Sequence, residues 1–169
     1  SKAHTGKDPA KYWVHANMLT LNNKKMSKST GNNILPVELI TGKNNIFSKP
    51  FDFNVIRFFF LQAHYRNVLD ISDSSLIASE KGYNRLLEII KRVKEAELSN
   101  EKNNILFDTI KVWENKCYTC LNDDFNTPML IAELFNSTKF INDPDLKISY
   151  RERDYFLNLM NTFLNKILG

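Results

Sequence analysis

The sequence predicts a mainly α-helical protein: a short strand-and-loop segment over residues 1–70, then an antiparallel four-helix bundle over residues 71–169. Three observations predict it. From residue 76 onward apolar residues recur at spacings of three, four and seven in four separate stretches. Three of those stretches open on a recognisable capping residue: Ser72, Thr127 (followed by Pro128) and Ser149. Glycine and proline number only five each, too few for a loop-rich all-β architecture.

Taken in order, Asp8-Pro9 predicts a short helical turn with Pro at its first position. Met18 to Leu21 reads as a short strand, ended by an Asn22-Asn23 turn. A polar, lysine-rich loop follows from Lys24 to Asn33. Pro36 to Ile40 predicts one or two helical turns, with Gly42 just past the end, and residues 43–50 read as a loop. Pro50 to His64 predicts a deeply packed helix, because Phe51, Val55, Phe58, Phe59 and Leu61 occupy more than one face.

The bundle helices carry Leu76, Tyr83, Leu86, Leu87, Ile90 and Val93; then Leu106, Ile110, Trp113, Cys117 and Leu121; then Ile131, Leu134, Phe135, Thr138 and Ile141. Asp143-Pro144 breaks the third. The fourth opens on Ser149-x-x-Glu152, a capping-box pattern, and presents Phe156, Leu157, Met160, Phe163, Leu164 and Ile167. Burying such stripes is worth about 25 cal/mol per Å2 of apolar area, enough to hold the helices together.

Composition narrows the function classes. Twelve Phe, six Tyr and two Trp rule out a solvating disordered tail. No apolar run approaches the ~18 residues of a membrane span. Two Cys and no apolar leader predict a reducing, cytoplasmic setting without a disulfide framework. A net charge of +4 permits contact with nucleic acid without demanding it.

The sharpest chemical feature is Lys25-Met26-Ser27-Lys28-Ser29, followed by Thr30-Gly31-Asn32. It puts two ammonium groups three residues apart on a loop between a strand and a helix. Lysines neutralise phosphate oxygens as point charges, and serine hydroxyls and loop amides add hydrogen bonds, so the loop suits a polyphosphate. The bland alternative is a solvated basic turn.

Read in order, Lys-Met-Ser-Lys-Ser resembles the second signature (KMSKS) of class I aminoacyl-tRNA synthetases. Tyr12-Trp13-Val14-His15 upstream, Arg57-Phe58-Phe59 through His64-Tyr65-Arg66 downstream, and Asp123-Asp124-Phe125-Asn126-Thr127-Pro128 further on resemble the cysteinyl-tRNA synthetase family. The resemblance implies that residues 1–70 are the KMSKS-bearing end of a catalytic region and that residues 71–169 are a DALR-like, tRNA-contacting bundle. It implies ATP with Mg2+, L-cysteine and tRNA(Cys) as substrates and partners. Lys28 and Lys25 are the catalytic candidates; with Ser27, Ser29 and Met26 they form the ATP-binding set. Met26 is read as an anchor of the loop more than a ligand contact.

The family's nucleotide-binding signature and its zinc ligands are expected N-terminal to residue 1, and its anticodon-recognition domain beyond residue 169. The expectation is therefore a fragment, inactive alone, with no metal ligands of its own. The stretch Gly42 to Pro50 departs from the family by its length. A related ligase joining cysteine to an amino sugar in mycothiol biosynthesis, or a non-catalytic tRNA-binding module, are the alternatives. Arg57, His64, Tyr65 and Arg66 either reach tRNA or tie the first long helix to the bundle. Asp123 and Asp124 are read as capping or buried ion-pair groups, and Lys91, Arg92 and Lys94 as a solvated face with a weak tRNA contact as the alternative. His15 and Trp13 are read as packing residues more than ATP contacts, and the backbone of Met18 to Thr20 as a candidate adenine-site lining. Cys117-x-x-Cys120 lacks the second pair a zinc site needs and is read as core.

Overall fold

Local signals set most of the helix ends. The computed structural model describes residues 2–27, 29, 31–100, 103–142 and 147–169. Its elements are α1 (Lys2–Thr5), β1 (Leu19–Leu21), β2 (Lys24–Lys25), α2 (Pro36–Thr41), α3 (Phe53–Leu61), β3 (Leu69–Ile71), α4 (Asp73–Glu95), α5 (Asn104–Asn122), α6 (Thr127–Asn136), α7 (Thr138–Ile141) and α8 (Tyr150–Met160). After α8 the chain widens to a π-helical segment, Asn161–Ile167. Helix dominates, as the apolar spacing predicts.

The Ser72 hydroxyl caps α4 by accepting from Ser75 N–H, and Asp73 sits in its first turn with Arg92 and Lys94 in its last, complementing the helix dipole. At α8 the Glu152 carboxylate reaches back to the Ser149 N–H at 3.0 Å, completing the expected capping box. Pro36 opens α2 and Gly42 closes it with φ +69, where a Cβ would meet the Pro50 ring at 3.1 Å.

Several expectations are corrected. The first helical turn lies at Lys2–Thr5, ahead of Asp8-Pro9, because Gly6 stops it at φ +67 and Asp8 is drawn into an ion pair with Lys2. The helix expected over 50–64 is shorter: Asp52 is its N-cap, accepting from Asn54 N–H. Asn126, not Thr127, caps α6; Thr127 turns its hydroxyl onto Leu61 O at 2.7 Å. The third stripe is two helices, interrupted where the buried Ser137 hydroxyl bonds back to Leu134 O. The Asp143-Pro144 break lies outside the described residues.

The three strands form one small sheet in the order β2-β1-β3. β1 and β2 make an antiparallel hairpin, whereas β3 lies parallel to β1 with Thr20 opposite Asp70. Two hydrophobic clusters result. One gathers Leu21, Ile34, Leu39, Phe47, Phe51, Val55, Ile56, Phe59, Ile71 and Leu76 around the sheet. The other unites α4, α5, α6, α7, α8 and the π-helical segment around Trp113, with Phe156, Phe163, Leu86 and Ile110. α3 and α4 serve both: α3 gives Phe59 to the first and Phe58 to the second, and α4 gives Leu76 and Leu86 respectively. The lysine loop is thus carried on a sheet that is packed, through two shared helices, onto the helical core. Among the described residues, no helix is long and apolar enough to cross a membrane.

Candidate functional site

The lysine loop grows out of the β1–β2 hairpin. Asn22 and Asn23 both adopt left-handed backbone, φ 51 and φ 60, the geometry of a two-residue turn that matches strand twist; asparagine tolerates it better than most residues. The turn places Lys24 and Lys25 on β2, both exposed. The chain then leaves at Met26, which packs against the sheet-side core and anchors the loop's entry. Ser27 and Asn32 form an antiparallel bridge, with Ser27 N–H donating to Asn32 O at 2.9 Å. Ser27 and Ser29 join hydroxyls at 2.8 Å. Gly31 takes φ +68 on the returning limb. Lys24, Lys25, Gly31 and Asn32 line a cleft of about 460 Å3. Lys28 and Thr30 lie outside the described residues.

Three residues hold this arrangement; the sequence places Asn32 beside the lysine motif without showing its role, and Asp70 and Asn17 carry no motif. The Asn32 side-chain amide donates to Lys25 O at 3.1 Å and to Lys24 O at 3.3 Å. Asp70, reaching across from β3, accepts from the Thr20 hydroxyl and from Asn23 N–H, both at 2.6 Å. Asn17 binds the chain entering β1 to the turn after α3, its N–H donating to Tyr65 O and its side-chain amide to Arg66 O, both at 2.8 Å.

That turn carries the second group of candidates. The Tyr65 hydroxyl donates to Asp124 Oδ1 at 2.7 Å, and Arg66 Nε to Asp124 Oδ2 at 2.6 Å. His64 Nε2 lies 3.2 Å from Asp124 O, and its ring stacks on Tyr65. Asp124 therefore latches the end of the sheet-side segment to the α5–α6 connection. It sits in strained left-handed backbone at φ 53, followed by Phe125 at φ 54. The ion pair is an open one, with 62% and 43% of the two side chains exposed, rather than the buried pair considered from sequence. Arg57 donates Nε to Leu168 O, joining α3 to the last turn of the chain. Each of these four candidates thus bonds to the helical half.

The Arg66 hydrogen bond, then that of Tyr65, holds the Asp124 carboxyl at about 2. An unfolded aspartate titrates near 3.9, so the folded chain binds fewer protons between those values. The latch's contribution is fully present above about pH 5 and is lost as pH falls through about 2. The Tm difference between the parent chain and Asp124→Asn is expected to be constant from about pH 5 to 8 and to vanish near pH 2. A difference undiminished at pH 2 refutes the latch.

Cys117 is fully buried and burial pushes its thiol up to about 12; Cys120 is half-buried against the same core. Among the described residues no three His, Cys, Asp or Glu are grouped to hold a metal ion.

Two family models match separate stretches of the chain. Residues 1–81 match the model of the tRNA synthetases class I (C) catalytic domain, and residues 116–169 match the DALR domain. Similar proteins named "Cysteine--tRNA ligase" include that of Phocaeicola vulgatus, 38% identical over 100% of this chain and 34% of the relative. That of Chlorobaculum tepidum is 39% identical over 100% of the chain and 32% of its own length. That of Bacteroides thetaiotaomicron is 42% identical over 85% of the chain and 29% of its length. The chain spans about a third of the length of the curated relatives it matches.

Proposed function

This chain belongs to the cysteinyl-tRNA synthetase family, and we propose that within a complete ligase it supplies the loop that handles ATP phosphates and a helical support for tRNA(Cys). Residues 1–70 are the loop-bearing end of the catalytic region, and residues 71–169 the tRNA-contacting bundle. The reaction is cysteine activation with ATP and Mg2+, followed by cysteinyl transfer to the tRNA 3′ end. In the first step the cysteine carboxylate bonds to the α-phosphorus while the bond to the bridging oxygen breaks and pyrophosphate leaves. Negative charge builds on the departing group, and positioned cations lower its energy.

The observation that carries this reading is the loop's construction: exposed lysines on a pinned hairpin, beside a cleft of about 460 Å3. Lys28 and Lys25 are the cations, Ser27 and Ser29 shape the loop, and Met26 anchors it. Arg66, with 62% of its side chain exposed, keeps a surface for tRNA phosphate beside its Asp124 bond, with His64, Tyr65 and Arg57 as its neighbours in that role. The described residues do not fit a zinc ion, because no three His, Cys, Asp or Glu among them are grouped to hold one.

The test is cysteine-dependent ATP–pyrophosphate exchange, run on a complete synthetase containing this sequence and on residues 1–169 alone. Exchange by the complete enzyme and none by the isolated chain is expected. Exchange by the isolated chain overturns the reading, as does a complete enzyme that ignores cysteine.

A further inference from the structure

We propose that Asn32 and Asp70 are positioning residues for the lysine loop, an inference that rests on the reading of that loop as a phosphate-handling one. The two act on opposite ends of the same device. β2 is only two residues long, and both are lysines. A strand that short has no packing of its own to fix its direction, so its aim depends on what grips its backbone.

At one end the grip is Asp70. A single oxygen, Oδ1, takes the Thr20 hydroxyl and the Asn23 N–H, each at 2.6 Å. Asn23 is the second of two consecutive left-handed residues, a conformation with an intrinsic cost that a charge-assisted bond offsets. Asp70 is itself held in register opposite Thr20 by the parallel pairing of β1 with β3. The carboxylate therefore sets the turn type, and the turn type sets the twist at which Lys24 and Lys25 leave the sheet.

At the other end the grip is Asn32. Its amide group spans the carbonyls of Lys25 and Lys24 at 3.1 and 3.3 Å, and its own carbonyl accepts from Ser27 N–H at 2.9 Å. One residue thus closes the returning limb onto the lysine-bearing strand. The stem is built when the protein folds, so binding a polyphosphate does not have to order it. Neither side chain is a cation, and both work through the lysines they aim.

The test uses a complete synthetase containing this sequence. Asn32→Asp keeps the side-chain size but turns a carboxylate oxygen onto two carbonyl oxygens. Asp70→Ala removes the turn anchor, whereas Asp70→Asn retains an oxygen that accepts both bonds. Asn32→Asp and Asp70→Ala are each expected to lower kcat for ATP–pyrophosphate exchange by about 30- to 100-fold, the scale of a misplacement near 1 Å. KM for cysteine and Tm should stay close to the parent values, and Asp70→Asn should stay within about threefold in rate. Added to Lys25→Ala, Asn32→Asp should cost clearly less than it does alone, because one of the two lysine side chains it aims is gone.

Rates at the parent level in Asn32→Asp and Asp70→Ala, strict additivity with Lys25→Ala, or a fall in Tm that accounts for the lost exchange each overturn the positioning role. If those results accompany a Lys28→Ala enzyme that has lost exchange, the positioning role fails alone. If Lys28→Ala exchanges at the parent rate, the phosphate reading of the loop fails first and takes this inference with it.

Discussion

Lys28→Ala in a complete synthetase is expected to slow cysteine-dependent ATP–pyrophosphate exchange by about 10²- to 10³-fold, the range seen when one transition-state donor is removed. The magnitude follows from timing. A lysine that binds ATP and the transition state equally would change KM alone. One that meets charge as it develops on the departing pyrophosphate changes kcat. We propose that the loop is of the second kind: its stem is fixed by Asp70 and Asn32, and Lys25 stands exposed on a two-residue strand. The loss should therefore fall mainly on kcat, and Lys25→Ala should show a smaller loss of the same kind. Lys28→Arg should not restore the parent rate, because a planar guanidinium does not replace a compact ammonium on a short loop. Exchange at the parent rate in Lys28→Ala refutes the role.

Trp113→Ala carries the largest expected stability effect in the helical half. The indole is 3% exposed and lies among Phe156, Phe163 and Phe140, with ring centroids at 5.4, 6.0 and 6.1 Å. It donates Nε1 to Glu133 O at 2.7 Å, so the residue joins α5 to α6 by a hydrogen bond as well as by packing. Truncation leaves a cavity and an unpaired carbonyl, costing about 3–5 kcal/mol of the chain's stability. Typical domains have only about 5–15 kcal/mol in total, so the variant should be close to unfolding at room temperature. Trp113→Phe keeps most of the aromatic body and loses the donor, for roughly 1–2 kcal/mol. Urea unfolding of the chain followed by circular dichroism measures both. A loss below about 1 kcal/mol for Trp113→Ala would place the core's weight elsewhere.

The local signals that were legible share a cause: they act within one turn of a helix. Ser72 and the Ser149-Glu152 pair cap their helices because the capping atom and the orphan amide lie three residues apart in any sequence context. Pro36 and Gly42 bracket α2 for the same reason. β1 was legible because its apolar run ends on the Asn22-Asn23 turn; β2 and β3 were hidden because Lys24-Lys25 has no apolar side to reveal and Leu69–Ile71 is too short to stand out without such a turn. The break at Ser137 and the π-helical widening after Met160 leave the apolar stripe intact, so the spacing reads straight through them.

The chain's own order of residues determined that it is helical, where most helices begin, and that one short loop concentrates lysine and serine in the pattern of a phosphate-handling site. Tertiary structure alone decided what that loop stands on. Asp70 meets Asn23 across 47 residues, and Arg66 meets Asp124 across 58. Such pairs have no spacing to recognise; they exist only once β3 lies beside β1 and the α5–α6 connection folds back onto the turn after α3. Whether an aspartate caps, pairs or holds a turn depends on which distant backbone reaches it, and packing settles that.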